Sequence, residues 1–506
     1  MHAKTQEILQ VFKDLNKIPR CSKHEEKISL WLQEWGRSRD FEVKSDALNN
    51  VLIKASATPG YENSPILILQ GHMDMVCEKC KLSKHDFSRD NIKCIHDGDW
   101  LHADGTTLGA DNGIALAIGL ALAEAGKRGE IRHPPLELLF TVDEETGLTG
   151  ARGIESGFFE GKLLLNLDSE EEGIFIAGCA GGQNSSILLD LEWEQLNYID
   201  EAEFGYFRFL IEGLEGGHSG VQIHRQRANG IQLLARTLYE LRKKIGKENL
   251  RLTRISGGSV HNAIPNSAEA SIVVRKEMED RVRKVASEIL ASFKEEYEDT
   301  DPELVLTLVN VDKRISFPSS SFNYSGKEAS YIKVFSTETE ERFISLILGL
   351  PHGVYRMSGI IPGLVETSNN LATLRTAENE IRIVSSQRSS NMSGLSEITS
   401  KIDAVAKLAG ANIKHDPGYP AWEPDLNSEL LLRCKNVYKK SFGSDPKVEV
   451  IHAGLECGII GSKAAGMQMV SLGPTIKDPH CPSERIFIPS IEKVWIFLEN
   501  LLKSYC

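Results

Sequence analysis

Leu69-Gln70-Gly71-His72-Met73-Asp74-Met75-Val76 closes an apolar run that begins at Pro65 and continues through Ile66, Leu67 and Ile68. Such a run reads as a buried strand of a mostly parallel sheet. Residues two apart on a strand point the same way, so His72 and Asp74 project together from its carboxyl end. Open α/β sheets place their ligands at that end. One imidazole beside a carboxylate suits a metal ligand with the group that orients it.

Outward from this strand the chain repeats the pattern. Residues 4–15 and 25–36 read as amphipathic helices, and residues 42–54 as a strand or two. Residues 114–125, rich in Ala and Leu, read as a helix apolar nearly all round and therefore buried. Two further apolar strands, residues 136–142 and 163–167, run into Asp143-Glu144-Glu145-Thr146-Gly147 and Asp168. This order belongs to an α/β sandwich. After Gly182 the texture becomes alternating strands with helices near 230–244 and 280–297, as in an α+β domain inserted into the first. Residues 262–274 and 370–384 each read as a turn followed by a strand, a weak sign of two related halves. From about residue 391 the α/β texture returns. The expected organisation is a discontinuous catalytic domain, 1–183 and 393–506, interrupted by an insertion over 184–392.

Composition sets the outer limits. At 506 residues, two or three domains are expected. The net charge of −13 argues against a nucleic-acid partner, which needs a basic face. The N-terminus enters an amphipathic helix without the apolar core of a signal peptide, and no stretch is long enough for a membrane span. The nine cysteines are scattered and odd in number, the pattern of reduced cytosolic thiols. Cys77-x2-Cys80 has no second CxxC to complete a structural zinc site.

Potential ligands accumulate at strand ends: His72, Asp111, Glu144, Glu145, Asp168 and, in Pro479-His480-Cys481-Pro482-Ser483-Glu484, His480. Asp111, just ahead of a helix, also suits an N-cap. Clustered buried carboxylates need partners and tolerate one another best around cations. Two imidazoles and three carboxylates without a thiolate suit zinc or a similar divalent ion in a catalytic site. Five ligands exceed one tetrahedral ion with an open position, and fit two ions sharing a carboxylate.

Gln70-Gly71-His72-Met73-Asp74-Met75, Gly109-Ala110-Asp111-Asn112-Gly113, Asp143-Glu144-Glu145-Thr146-Gly147, Asn166-Leu167-Asp168 and His480 together resemble the dinuclear zinc peptidases of the carboxypeptidase/aminoacylase clan. Within it the chain is most similar to the aminoacyl-histidine, or cytosol non-specific, dipeptidases. The resemblance implies a zinc-peptidase catalytic domain with a mixed, largely parallel sheet flanked by helices, and an inserted α+β lid and dimerisation domain. It implies His72, Asp111 and Asp168 on one divalent ion, Zn2+ with Mn2+ or Co2+ as alternatives, and Asp111, Glu145 and His480 on a second. Asp74 would orient His72, and Glu144 would act as general base. A histidine matching His218, in Gly216-Gly217-His218-Ser219-Gly220, would reach the partner subunit's site in a homodimer and stabilise the oxyanion. Asn262 and Arg388 would hold the substrate carboxylate. The implied activity is cytoplasmic hydrolysis of unblocked dipeptides, with a tripeptidase or N-acyl-amino-acid deacylase as alternatives. His452 and Glu456 lie in a family stretch that assigns them no role. Cys481-Pro482-Ser483-Glu484 departs from the family's more usual Ser-Pro-Asp-Glu, without removing a ligand.

Overall fold

The computed structural model describes residues 3–197, 203–311 and 331–505. The chain folds into two compact units, Met1–Cys179 with Trp422–Cys506, and Ala180–Ala421.

The first unit is built on an eight-stranded mixed sheet. Its order is Glu42–Ser45, Val51–Ala55, Leu136–Thr141, Leu67–His72, Leu163–Asn166, Gln468–Ser471, Ile174–Cys179 and Lys447–Ile451. Leu67–His72 lies parallel to both Leu136–Thr141 and Leu163–Asn166, so three carboxyl ends open on the same side. All three strands are apolar and buried along nearly their whole length, as central parallel strands must be when both faces are covered. The helix Ala110–Lys127 buries every residue except Glu124 and Lys127. It packs in one core with Phe12, Leu69, Leu138, Trp495 and Leu498, from helices at both ends of the chain and from the sheet. A small antiparallel sheet joins Cys94–Asp97, Trp100–Ala103, Arg485–Phe487 and Ile476–Lys477. This pairing carries the loop with His480 to the segment that leads into Asp111.

The second unit holds a nine-stranded antiparallel sheet. Its central path runs Val305–Asn310, Phe204–Glu212, Ala268–Arg275, Leu250–Gly257, Val365–Thr376, Glu380–Ser389, Gly181–Asp190 and Asn412–His415. Helices Gly230–Ile245, Glu279–Glu296, Thr337–Gly349 and Met392–Leu408 share its core.

Three expectations from the sequence need correction. Helix Met392–Leu408 belongs to the second unit, where it buries Leu395, Ile398, Ile402 and Ala406, and strand Asn412–His415 pairs with Gly181–Asp190. An apolar stripe says that a helix has a buried face, not which sheet it covers. Asn370 lies within strand Val365–Thr376 rather than in a turn. Its side-chain amide donates to the carbonyls of His261 and Ala263, which outweighs the turn preference of asparagine. Finally, Cys21 and Cys77, 56 residues apart, form a disulfide, so Cys77 is not a free thiol. No spacing rule pairs them, because Cys21 sits in a loop brought alongside Met75 only by the fold.

Candidate active site

At the carboxyl ends of the three parallel strands the predicted ligands converge. Among the described residues, His72, Asp111 and Glu145 each offer a ligand atom within 4.8 Å of the others. His72 Nε2 lies 3.1 Å from Asp111 Oδ1 and 3.3 Å from Asp168 Oδ1. His480 Nε2 lies 3.0 Å from Asp111 Oδ2 and 3.1 Å from Glu145 Oε2. The two oxygens of Asp111 thus face two different histidine–carboxylate pairs. Among the described residues the Asp111 carboxylate oxygens meet His72 and His480 rather than a helix N–H, against the N-cap alternative.

The orientation of His72 is set from behind. Its Nδ1 lies 3.1 Å from the Asp74 carbonyl and 3.3 Å from Asp74 Oδ1, both acceptors. This holds a proton on Nδ1 and aims Nε2 at the cluster. Asp74 also accepts from the backbone N–H of Glu144 at 3.0 Å and of Glu145 at 3.2 Å, and from the Ser22 hydroxyl at 2.8 Å. One carboxylate therefore fixes a histidine and the two glutamates. Glu144 and Glu145 begin a short helix, Glu144–Gly147, rather than extending the strand. Asp143, in the left-handed region at φ 49°, turns the chain out of the sheet there.

The glycines of these motifs make room for polar anchors. A Cβ on Gly71 would come within 2.4 Å of Asn112 Oδ1, which accepts from the His72 N–H. A Cβ on Gly109 or Gly113 would come within 2.4 or 2.5 Å of Arg20 Nη2. The buried Arg20 guanidinium donates to the carbonyls of Met73, Asp74 and Gly109, tying the His72 strand end to the approach to Asp111. From the other side, Glu484 accepts four successive backbone N–H groups: Leu108 at 2.7 Å, Gly109 at 2.9 Å, Ala110 at 2.7 Å and Asp111 at 3.2 Å. It latches the His480 loop onto the Asp111 segment. Arg20 and Glu484 have no role in the sequence reading. Glu484 follows His480 by four residues, a spacing that hints at a link, but nothing in the sequence pairs Arg20 with Gly109.

The electrostatics match a centre built for cations. Burial alone would lower the His72 imidazole, but the charge of Asp168 and hydrogen bonds with Asp111, Asp168 and Asp74 raise it well above its ordinary value. Hydrogen bonds with Asp111 and Glu145 hold His480 up to about 11 against burial. Burial, only partly offset by His72, raises Asp168 to about 6. Burial, reinforced by Asp168, Glu456 and Glu145 and opposed by His72, raises Glu144 well above the carboxylate range. Glu145 Oε1 is buried without a hydrogen-bond partner among the described residues, and Asp168 Oδ1 is met by the His72 imidazole at 3.3 Å. Two imidazoles and three carboxylates with spare buried acceptors fit oxygen- and nitrogen-seeking divalent ions.

The second unit gathers the remaining predicted residues. His218, in a short strand Gly217–His218 paired with Ala263–Ile264, sits beside Asn262, whose carbonyl accepts from the Ser219 N–H at 2.8 Å. His218 Nδ1 accepts from the N–H groups of Gly220 and Val221, both at 3.2 Å, which puts the ring proton on Nε2. Burial, then the positive fields of Arg388 and His261, lowers this imidazole to about 4. It is therefore a neutral donor at physiological pH. Arg388 is buried, donates to the Tyr419 hydroxyl at 2.9 Å and keeps its Nε without a hydrogen-bond partner among the described residues. Asn370, expected from the sequence in a turn, anchors the segment that carries Asn262.

Comparison with known proteins places this geometry. Residues 211–301 match a peptidase dimerisation domain. The chain is 36% identical to the cytosol non-specific dipeptidase of Escherichia coli over 99% of its own length and 97% of that protein's. The crystal structure of aminoacylhistidine dipeptidase from Vibrio alginolyticus shares 37% identity and superposes with a TM-score of 0.84, covering 98% of this chain and 96% of that one. A tripeptidase from Staphylococcus aureus shares the fold, at 16% identity, a TM-score of 0.55 and coverage of 99% and 98%. The architecture is thus that of the M20 peptidases, an α/β peptidase fold with an inserted dimerisation domain. Within it, the chain belongs to the cytosol non-specific dipeptidase family. No helix among the described residues is long and apolar enough to cross a membrane.

Proposed function

We propose that this chain is a metal-dependent dipeptidase that hydrolyses unblocked dipeptides, Xaa-His among them, in the cytoplasm. Asp111 carries this reading, because its two carboxylate oxygens face His72 with Asp168 on one side and His480 with Glu145 on the other. These five residues would hold two divalent ions, zinc being the natural choice for the donor set, with Asp111 shared. Such ions, when bound, would supply the charge that lowers the pKa of the attacking water toward neutrality. Glu144, held at its backbone by Asp74, is the general base. It takes the proton of the attacking water and returns it to the departing amine. Asp74 keeps Nε2 of His72 free to act as a ligand.

His218, with its proton on Nε2 and no charge at neutral pH, suits donation to the developing oxyanion. The match to a peptidase dimerisation domain supports a homodimer in which it serves the partner's site. Arg388 and Asn262 are suited to the free carboxylate of a short substrate. The cytoplasmic assignment, supported by the name of the Escherichia coli relative, implies that Cys21 and Cys77 meet a reducing environment. Thiol counting on freshly lysed cells measures their state.

The test is hydrolysis of Ala-His, β-Ala-His, Ala-Ala-Ala and N-acetyl-Ala after metal stripping and zinc or manganese add-back. Metal-restored cleavage of free dipeptides alone is expected. Preferred cleavage of the tripeptide or the acetylated compound would overturn the substrate assignment and leave the metal centre standing.

A further inference from the structure

Glu456 opens the helix Glu456–Lys463 in the first unit and is 0% exposed. Nothing in the reaction described above uses it. Its Oε2 accepts from Gln70 Nε2 at 2.6 Å and from the Thr141 hydroxyl at 2.7 Å. Gln70 in turn accepts at Oε1 from Asn166 Nδ2, at 2.6 Å. Oε1 of Glu456 has no hydrogen-bond partner among the described residues.

The residues it organises stand directly behind the site. Gln70 precedes His72 by two positions and shares its face of the strand. Asn166 is paired with Gln70 across the sheet and precedes Asp168 by two. Thr141 is paired with His72 and precedes Glu144 by three. The carboxylate thereby bridges two adjacent strands directly and reaches the third through Gln70, and each of the three leads to a residue of the centre. A short slide of any strand would move its ligand, and this bridge resists such a slide.

The charge needs an explanation as well. A buried carboxylate is costly unless something compensates it. No lysine or arginine forms an ion pair with Glu456 among the described residues, and its two hydrogen bonds fall on one oxygen. Burial raises its carboxyl to about 7, with the charge of His72 and the Thr141 and Gln70 hydrogen bonds working against that rise. A leucine would fill such a site at lower cost if packing were the only demand. The position makes sense if positive charge is held one layer above it.

We propose that Glu456 is a positioning residue of the metal centre, which registers the strand ends of His72, Glu144 and Asp168 and supplies a buried negative charge beneath the cations. The inference rests on the two-metal reading given above. It requires that Glu456 affect how tightly ions are held, not merely whether the chain folds.

The experiment compares wild type, Glu456→Gln and Thr141→Val. For each it measures zinc affinity by competition with a chromophoric chelator, the thermal midpoint of the metal-free protein, and kcat and KM on Ala-His. Glutamine keeps the shape and the acceptor for Gln70 and Thr141 but removes the charge. Roughly tenfold weaker binding of at least one zinc is expected, with kcat lowered more than KM is raised and the metal-free midpoint unchanged. Zinc affinity within twofold of wild type and an unchanged kcat would overturn the proposal. Should Glu456→Gln fail to fold, Thr141→Val decides, since it keeps the carboxylate and removes one anchor. About threefold weaker zinc binding is expected from it, and an unaltered affinity would sink the idea. A wild type that binds no pair of zinc ions would instead bring down the metal reading itself.

Discussion

The two clusters of candidate site residues are held in opposite ways. In the first unit, His72, Asp111, Glu145, Asp168 and His480 press charges together, and Asp74, Arg20 and Glu484 fix their backbones from below. Without cations the carboxylates of Asp168, Asp111 and Asp74 favour a charged His72, and those of Asp111 and Glu145 a charged His480, so both histidines are raised. In the second unit, His218 and Arg388 form no ion pair with a carboxylate among the described residues, and burial with the positive fields of Arg388 and His261 lowers the histidine instead. One region is over-anchored and short of positive charge. The other offers hydrogen-bond donors, one neutral and one positively charged. That division suits chemistry that needs rigid ligands and recognition that must receive and release a substrate.

The comparison breaks first at Glu144. Glu144→Gln should retain both metals and lose roughly 10²- to 10⁴-fold in kcat on Ala-His. Metal analysis beside steady-state kinetics checks it, and near-normal turnover would remove Glu144 as the base. Next comes His218, whose replacement by alanine should cost about 10²- to 10³-fold in kcat with metal content intact. Mixing His218→Ala with Glu144→Gln subunits, each strongly impaired alone, should recover activity if the histidine serves its partner. No recovery from a verified mixed dimer would confine His218 to its own chain.

Arg388→Lys should act on binding rather than chemistry. About a tenfold rise in KM with little change in kcat is expected when a forked donor becomes a point charge. A loss confined to kcat would argue against a carboxylate clamp.

The smallest effects are in pH. His218 has a folded pKa below the unfolded value of about 6.5, so its contribution to stability is complete above pH 6.5 and fades as pH falls toward about 4. His480 is the reverse in the metal-free protein: its contribution is complete below about 6.5 and fades as pH rises toward about 11. Melting of metal-free wild type, His218→Gln and His480→Gln across pH should show the two differences closing at opposite ends. Parallel profiles would contradict the contrast between the clusters.

Much of the centre could be read from the sequence because strand ends announce themselves. An apolar run of five or six residues followed by His or Asp puts that residue at the carboxyl end of a buried strand, as at His72 and Asp168. What holds the ligands was not legible, because Arg20 to Gly109 and Glu484 to Ala110 are contacts between distant segments with no periodic signature. The glycines at 71, 109 and 113 were visible, but their reason, space for Asn112 and Arg20, required the fold. Helix Met392–Leu408 was misplaced for the same cause, since its stripe fits either core. Cys21–Cys77 joins two loops that only the packed structure brings together.

The central claim is that five residues of one unit hold two catalytic ions. Its most direct test is to strip the protein of metal, add zinc in measured increments, and follow bound zinc per chain together with Ala-His hydrolysis. The account predicts that activity is absent without metal and becomes maximal when two ions are bound per chain. Full activity in the stripped protein, or saturation at a single ion, would contradict it.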